Sequence, residues 1–230
     1  MEKEPKVLVG CPTSDHKEYC LKQYADAVKG LTYKNKDILL VDNSENDDYL
    51  EKIKKEGLPA IKGPYYEGAR DRIVSSRNIL REKAIWEYDY FLSLEQDVIP
   101  PKDIIERLLQ HDKEIITGVY FANNVGPTGK VALIPLAYKL TDEKTLSMTP
   151  LSEEEVFTDQ LMQIVSCGLG CVLIKKNVLE KIRFRYEQNS FDDRWFCIDA
   201  YNLKIPIFVD TSVRCKHLIK GHQIWGKIKK

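Results

Sequence analysis

The feature that most constrains this chain is an alternation. Between residues 6 and 97, short apolar runs and longer amphipathic stretches take turns, and each apolar run gives way to polar residues. Residues 6–11 hold Val7-Leu8-Val9 and stop at Gly10 and Pro12-Thr13. A helix is expected next, with Ser14 or Asp15 as its N-cap. Leu21, Tyr24, Ala25 and Val28 recur at i, i+3, i+4, i+7, so they share one buried stripe. Residues 37–42 (DILLVD) read as a second buried strand, running into Asn43-Ser44-Glu45-Asn46. A short helix over 48–55, a third strand at 59–62, a long helix over 70–88 and a strand at 90–94 (YFLSL) complete the series. Such alternation predicts an α/β fold with a mostly parallel central sheet and helices on both faces. Ligands gather at the carboxyl ends of such strands. Three of those ends are polar here, at Pro12-Thr13, Asp42-Asn43-Ser44 and Glu95-Gln96-Asp97, and they are predicted to converge.

The second part is less regular. Residues 114–120 and 134–138 read as strands around the loop 123–129, and the polar stretch 141–155 supports no assignment. Residues 163–175 (QIVSCGLGCVLIK) read as one long or bent strand, with Gly168 and Gly170 permitting a bulge or a close ligand approach. Residues 177–182 and 193–203 read as helices, and 206–210 opens a final strand. No internal repeat or low-complexity linker divides the 230 residues, so a single domain is the economical organisation.

Charge and cysteine usage exclude several classes. Lys plus Arg equals Asp plus Glu, 35 of each, which argues against a protein that coats nucleic acid. No apolar run reaches the roughly 18–20 residues of a membrane span. The charged opening Met1-Glu2-Lys3-Glu4-Pro5 shows no signal peptide. None of Cys11, Cys20, Cys167, Cys171, Cys197 and Cys215 forms a C-x-x-C pair; they read as small buried apolar residues suited to a reducing cytoplasm. The tail over 219–230, with Lys220, Lys227, Lys229 and Lys230 near Ile224 and Trp225, reads as a solvated terminus. Its alternatives are peripheral contact with an anionic membrane at the cytoplasmic face or with donor phosphates. The G-x-G-x-x-G, G-x-x-x-x-G-K-[ST] and G-x-S-x-G signatures are all missing.

Three sets of residues carry candidate chemistry. Glu95 and Asp97 flank Gln96 at the end of an apolar strand, where a period of two puts both carboxylates on one side. Two hard oxygen donors there suit Mg²⁺ or Mn²⁺ bridging a diphosphate, and the alternative is a polar turn ahead of Pro100-Pro101. Asp192-Asp193 opens a helix; one caps it and the other projects as a general base, or both serve the helix end alone. His217 follows a strand and completes a metal shell only if it meets Asp97; an imidazole there favours Mn²⁺ over Mg²⁺. Tyr65-Tyr66 and Trp195 offer faces for stacking on sugar rings, and core packing accounts equally for Trp195.

In order and spacing, these elements resemble the GT-A glycosyltransferases, especially family-2-like members, over residues 6–218. The resemblance rests on the opening strand with Pro12-Thr13, the strand ending at Asp42, and the Ser76-Arg77-Asn78 helix. The D-x-D-like Glu95-Gln96-Asp97, the stretch around Asp192-Asp193-Arg194-Trp195, and the closing strand with His217 complete it. It implies a single GT-A-like domain over 1–230, with 6–120 binding a nucleoside-diphosphate sugar and 121–218 forming the acceptor and catalytic half. It also implies a hexosyltransferase-like enzyme that needs a divalent cation, with a glycan, lipid-linked or protein acceptor. Pro12, Thr13, Asp42, Arg77, Glu95 and Gln96 would surround the donor, with Asp42 on its base or ribose and Arg77 on the diphosphate or positioning the loop. Asp97, helped by Glu95, and His217 would hold the metal. Asp193 would be the base of an inverting transfer. Glu95 and Asp192 depart from the family's Asp and Glu by one methylene each. A nucleotidyltransferase would need a Gly-rich, cationic loop after the first strand, which Gly10-Cys11-Pro12-Thr13-Ser14 does not supply; a non-catalytic nucleotide- or sugar-binding module is the other alternative.

Overall fold

Apolar runs and amphipathic helices alternate in space as they do in sequence. The computed structural model describes residues 4–125, 129, 131–187, 190–219 and 222–224. Most of the basic tail, including Lys220, Trp225, Lys227, Lys229 and Lys230, therefore lies outside the described residues, as do Gln188, Asn189 and part of the loop 123–129.

Eight strands form the central sheet. Across it they lie in the order Leu161–Ile164, Ile207–Arg214, Ile115–Val119, Cys171–Lys175, Tyr90–Leu94, Val7–Thr13, Lys36–Asp42 and Ala60–Lys62. All run in one direction except Cys171–Lys175 in the interior and Leu161–Ile164 at the edge. Successive strand residues feed opposite cores. Val7, Val9, Leu40, Leu92 and Leu173 join one apolar cluster; Leu8, Val41, Phe91, Val172 and Ile174 join the other. Helices Leu21–Lys29 and Asp48–Lys55 cover the first through Tyr24, Ala25, Val28, Tyr49 and Ile53. Helices Ala69–Glu87 and Asp192–Asn202 cover the second through Leu80, Ala84, Phe196 and Ala200. Because both faces are covered, Tyr90–Leu94 and Ile115–Val119 are buried at every residue. Each large apolar side chain so enclosed contributes about 1.5–3 kcal/mol. The six cysteines are all buried and free.

Some local expectations need correction. The opening strand runs through Pro12 to Thr13, and Ser14 leads into a 3₁₀ turn, Asp15–Cys20, with no side-chain cap bond. Residues 134–138 divide between Val131–Pro135, paired with Phe121–Val125, and Ala137–Asp142, paired with Ser147–Pro150. Within 141–155, Ser152 and Glu155 form a reciprocal capping box on the short helix Glu153–Val156. Most tellingly, 163–175 is not one strand. Leu161–Ile164 and Cys171–Lys175 are separated in the sheet by two other strands, with Ser166–Cys167 pairing elsewhere between them. The chain crosses over at Gly168 and Gly170, where Tyr120 fills the space a Cβ would need and its hydroxyl accepts the Gly170 N–H at 2.9 Å.

Gly10 has a similar constraint within the sheet, since a Cβ there would run into the Phe91 ring and lie 3.1 Å from Leu80. Gly10→Ala is expected to overpack the core by about 1–3 kcal/mol, lowering Tm by roughly 2–12 °C for a domain of this size. Thermal unfolding followed by circular dichroism checks this, and an unchanged Tm would show that the ring yields freely.

Candidate functional site

The three polar strand ends meet at one end of the sheet. The Asn43 N–H donates to the Thr13 carbonyl at 2.9 Å, and Asp15 N–H donates to Ser44 Oγ at 2.8 Å. Thr13 Oγ1 donates to Gln96 Oε1, which also accepts from the Tyr49 hydroxyl at 2.9 Å. Gln96 Nε2 donates to the Lys17 carbonyl at 2.7 Å, so this buried amide braces the turn after the first strand against helix Asp48–Lys55. Pro12, Thr13, Lys17, Asn43, Glu95 and Gln96 are among the residues lining a cavity of about 130 Å³. That is less than the roughly 300–1,000 Å³ of a drug-sized ligand site, so it accommodates part of a donor. A larger cavity of about 490 Å³ lies at Gln163, Tyr201, Lys204 and Ile207, near the amino end of a parallel strand. Among the described residues no carboxylate, histidine or cysteine lines it.

Asp42 is fully buried. One oxygen accepts from Ser44 N–H at 3.0 Å and Ser44 Oγ at 2.6 Å, and the other pairs with Lys62 at 3.0 Å. Arg77 is equally enclosed. Its Nε donates to Asp192 at 2.7 Å, Nη1 to Ser93 Oγ at 2.6 Å and Nη2 to Glu95 at 2.9 Å, with the Phe184 ring 5.6 Å away. Burial disfavours the cation, yet Asp192 and Glu95 outweigh it and hold the guanidinium even more firmly protonated than usual.

The strand ends at Leu94, and a bond from Val98 N–H to the Glu95 carbonyl at 2.9 Å closes a turn. The expected alternation therefore does not carry through. Glu95 engages Arg77, whereas Asp97 engages Lys17 and His217. Strand Lys216–Ile219 pairs with Val98–Ile99, setting His217 opposite Val98 and its ring beside Asp97. His217 Nδ1 lies 2.7 Å from the Phe121 carbonyl, which can only accept, so Nδ1 carries a proton and Nε2 faces Asp97 Oδ2 at 3.2 Å. Tyr120 packs edge-on against the imidazole at 5.6 Å. Asp97 Oδ1 is buried with no hydrogen-bond partner among the described residues. Burial pushes Asp97 upward, but His217 and Lys17 prevail and its pKa is lowered; burial opposes the charged His217, but Asp97 prevails and its pKa is raised.

Helix Asp192–Asn202 has Phe191 as N-cap, without a side-chain cap bond, so neither acid caps it in the expected sense. Asp192 goes to Arg77. Asp193 is half-buried and accepts the Arg194 N–H at 2.7 Å. Burial, then Asp192 and Glu95, raise its pKa above the ordinary carboxylate value against the opposing Arg194 N–H and Arg77. Its charge also acts on Tyr120 and Tyr138. Trp195 donates from its indole to Ser190 Oγ at 2.7 Å under Arg185, while Tyr65 and Tyr66 are exposed. Lys17 is the site residue that sequence reasoning missed: nothing distinguishes it from the other cations until the turn after the first strand delivers it to Asp97.

Asp97 and His217 fit a divalent ion. The orphaned carboxylate oxygen and the imidazole held by its second nitrogen are the posture of metal ligands. No group of three His, Cys, Asp or Glu that could hold a metal occurs among the described residues, so donor phosphates and water would complete the shell.

With its sheet order, covered faces and polar strand ends, the chain has a GT-A-like fold. No family model matches the sequence, and no curated protein matches it either. Solved structures do. The mannosyltransferase PcManGT from Pyrobaculum calidifontis, in complex with GDP-Man and Mn²⁺, has a TM-score of 0.62 at 12% identity over 93% of this chain and 57% of that one. S. aureus TarS 1-349 in complex with UDP-GlcNAc has a TM-score of 0.57 at 15% identity over 91% and 57%. A197 from STIV has a TM-score of 0.52 at 15% identity over 93% and 86%. At these identities the likeness is one of fold, and the chain spans little more than half of the first two. No helix among the described residues is long and apolar enough to cross a membrane.

The Asp97–His217 pair has a defined pH signature. His217, with its folded pKa raised above 6.5, contributes stability that is fully present below pH 6.5 and is lost as the pH rises through the folded value. The stability gap between the native chain and His217→Asn should therefore shrink as the pH rises above 6.5. Urea unfolding of both across pH 5.5–9 measures this, and a pH-independent gap would count against the ion pair.

Proposed function

We propose that this chain transfers a sugar from a nucleoside-diphosphate sugar to an acceptor hydroxyl, with inversion at the anomeric carbon. The observation that carries the reading is the Asp97–His217 pair, with one buried carboxylate oxygen unpartnered among the described residues, at the mouth of a GT-A-like sheet. Complexes with GDP-Man and Mn²⁺ and with UDP-GlcNAc among structures of similar fold support it.

A divalent ion held by Asp97 and His217, when bound, would neutralise charge on the departing diphosphate. The chain's own residues do the rest. Pro12, Thr13 and Glu95 shape the inner wall of the donor cavity, and Gln96 fixes that wall from behind. Asp42, fully buried with both oxygens held by Ser44 and Lys62, fixes the loop that brings Asn43 to the cavity rather than reaching the base or ribose itself. Arg77 positions Glu95 rather than reaching a ligand, since it is enclosed and bonded to protein groups. Asp193 takes the proton of the acceptor hydroxyl as its oxygen attacks the anomeric carbon, and the bonding pair of the sugar–phosphate bond leaves with the nucleoside diphosphate. Burial raises its pKa, which makes it a stronger base than an ordinary carboxylate.

Thermal unfolding with UDP or GDP, in Mn²⁺ or in EDTA, tests the donor site. Nucleotide at a hundredfold over its Kd adds about 2.7 kcal/mol, a rise of roughly 5–11 °C, and the rise should depend on Mn²⁺. Asp193→Asn should retain it while turnover falls by about 10²–10⁴. No shift with any nucleoside diphosphate would overturn the donor site, and unchanged turnover in the variant would overturn the base.

A further inference from the structure

Asp97 presents an uneven carboxylate. Oδ2 holds the Lys17 ammonium and faces His217 at 3.2 Å, while Oδ1 has no hydrogen-bond partner among the described residues. The two ends of the lysine pair differ in enclosure: the Lys17 side chain is 37% exposed, that of Asp97 5%. Lys17 sits on the 3₁₀ turn directly after the first strand and lines the same cavity as Thr13 and Glu95. A buried carboxylate cannot stay ionised without a counter-charge. Lys17 supplies one at Oδ2, but an ammonium there and a dication on Oδ1 of the same carboxylate are close enough to repel strongly. The half-exposed lysine is the partner free to leave, because His217 is anchored by Phe121 and by its strand.

We propose that Lys17 is an exchangeable cation, pairing with Asp97 until a divalent ion and a nucleoside diphosphate enter, then ceding the carboxylate to the ion and turning onto the diphosphate. This rests on the donor-site reading above. The metal alone must displace a bound ammonium, so it binds weakly. A diphosphate gives that ammonium a new partner, so metal and nucleotide reinforce one another through this one side chain.

Electron paramagnetic resonance of free Mn²⁺, titrated into the full chain with and without UDP or GDP, tests the exchange without measuring turnover. Without nucleotide, Lys17→Met should bind Mn²⁺ at least tenfold more tightly than the native chain. Nucleotide should tighten Mn²⁺ binding at least tenfold in the native chain and far less in the variant. Lys17→Gln, nearer in polarity, serves if the methionine variant does not fold by circular dichroism. Equal Mn²⁺ affinity in native and variant chains, or weaker affinity in the variant, would overturn the exchange. Asp97→Asn separates the two claims. If it binds Mn²⁺ and nucleotide as the native chain does, the donor site itself falls; if it loses Mn²⁺ while Lys17→Met matches the native chain, only the exchange falls.

Discussion

A guanidinium removed from water needs its partners in place before it is tolerable, and Arg77 imposes that condition on three separate stretches of chain. Desolvating such an ion costs several kcal/mol, repaid only by good geometry. Arg77 rises from helix Ala69–Glu87 and is met by Ser93 at the end of a central strand, by Glu95 in the turn that follows, and by Asp192 at the start of a helix more than a hundred residues away. The turn carrying Asp97 and the helix carrying Asp193 are therefore set against a common reference. A shift in either would strand a buried charge. The two carboxylates proposed for chemistry sit one or two residues beyond those anchored by the arginine, close enough to inherit their positions and still able to face a ligand.

The opposite face of the sheet is built on uncharged bonds. Gln96 links Thr13, Tyr49 and the Lys17 carbonyl, and the Tyr24 hydroxyl reaches the Leu94 carbonyl at 3.2 Å. These groups have no formal charge to desolvate, so they can lie behind the cavity wall at lower cost. The turn Glu95-Gln96-Asp97 accordingly points three ways: to a buried cation, to a neutral network, and to the Lys17 and His217 side chains. Such a division explains why a motif of alternating acids does not act as a symmetric pair here.

Much of the first half was legible because its determinants are local. Helix Asp48–Lys55 and strand Tyr90–Leu94 fall where their patterns place them, and Leu21, Tyr24, Ala25 and Val28 form the expected stripe. The second half depends on what lies beside each segment. Nothing within 163–175 reveals that two strands from elsewhere separate its ends. The neighbourhood of Asp97 and His217 depends on a two-residue ladder joining segments 120 positions apart, which no spacing rule can register. Lys17 was invisible for the same reason. Ser152 and Glu155 are the opposite case: a local capping signal was present in a stretch that otherwise offered no pattern.

The order of strands also dictates a timetable. Val7–Thr13, Lys36–Asp42, Ala60–Lys62 and Tyr90–Leu94 neighbour one another in the sheet and are synthesised before its other four strands. Ile115–Val119 follows them, but both its sheet partners, Cys171–Lys175 and Ile207–Arg214, are still unmade. During that interval the flank of Tyr90–Leu94 is an apolar edge with unpaired amides, the kind of surface that recruits other chains. The reversed interior strand, Cys171–Lys175, is what seals it. Nascent chains stalled between these points would carry the exposed edge, and protection of this protein during synthesis matters most over that middle stretch.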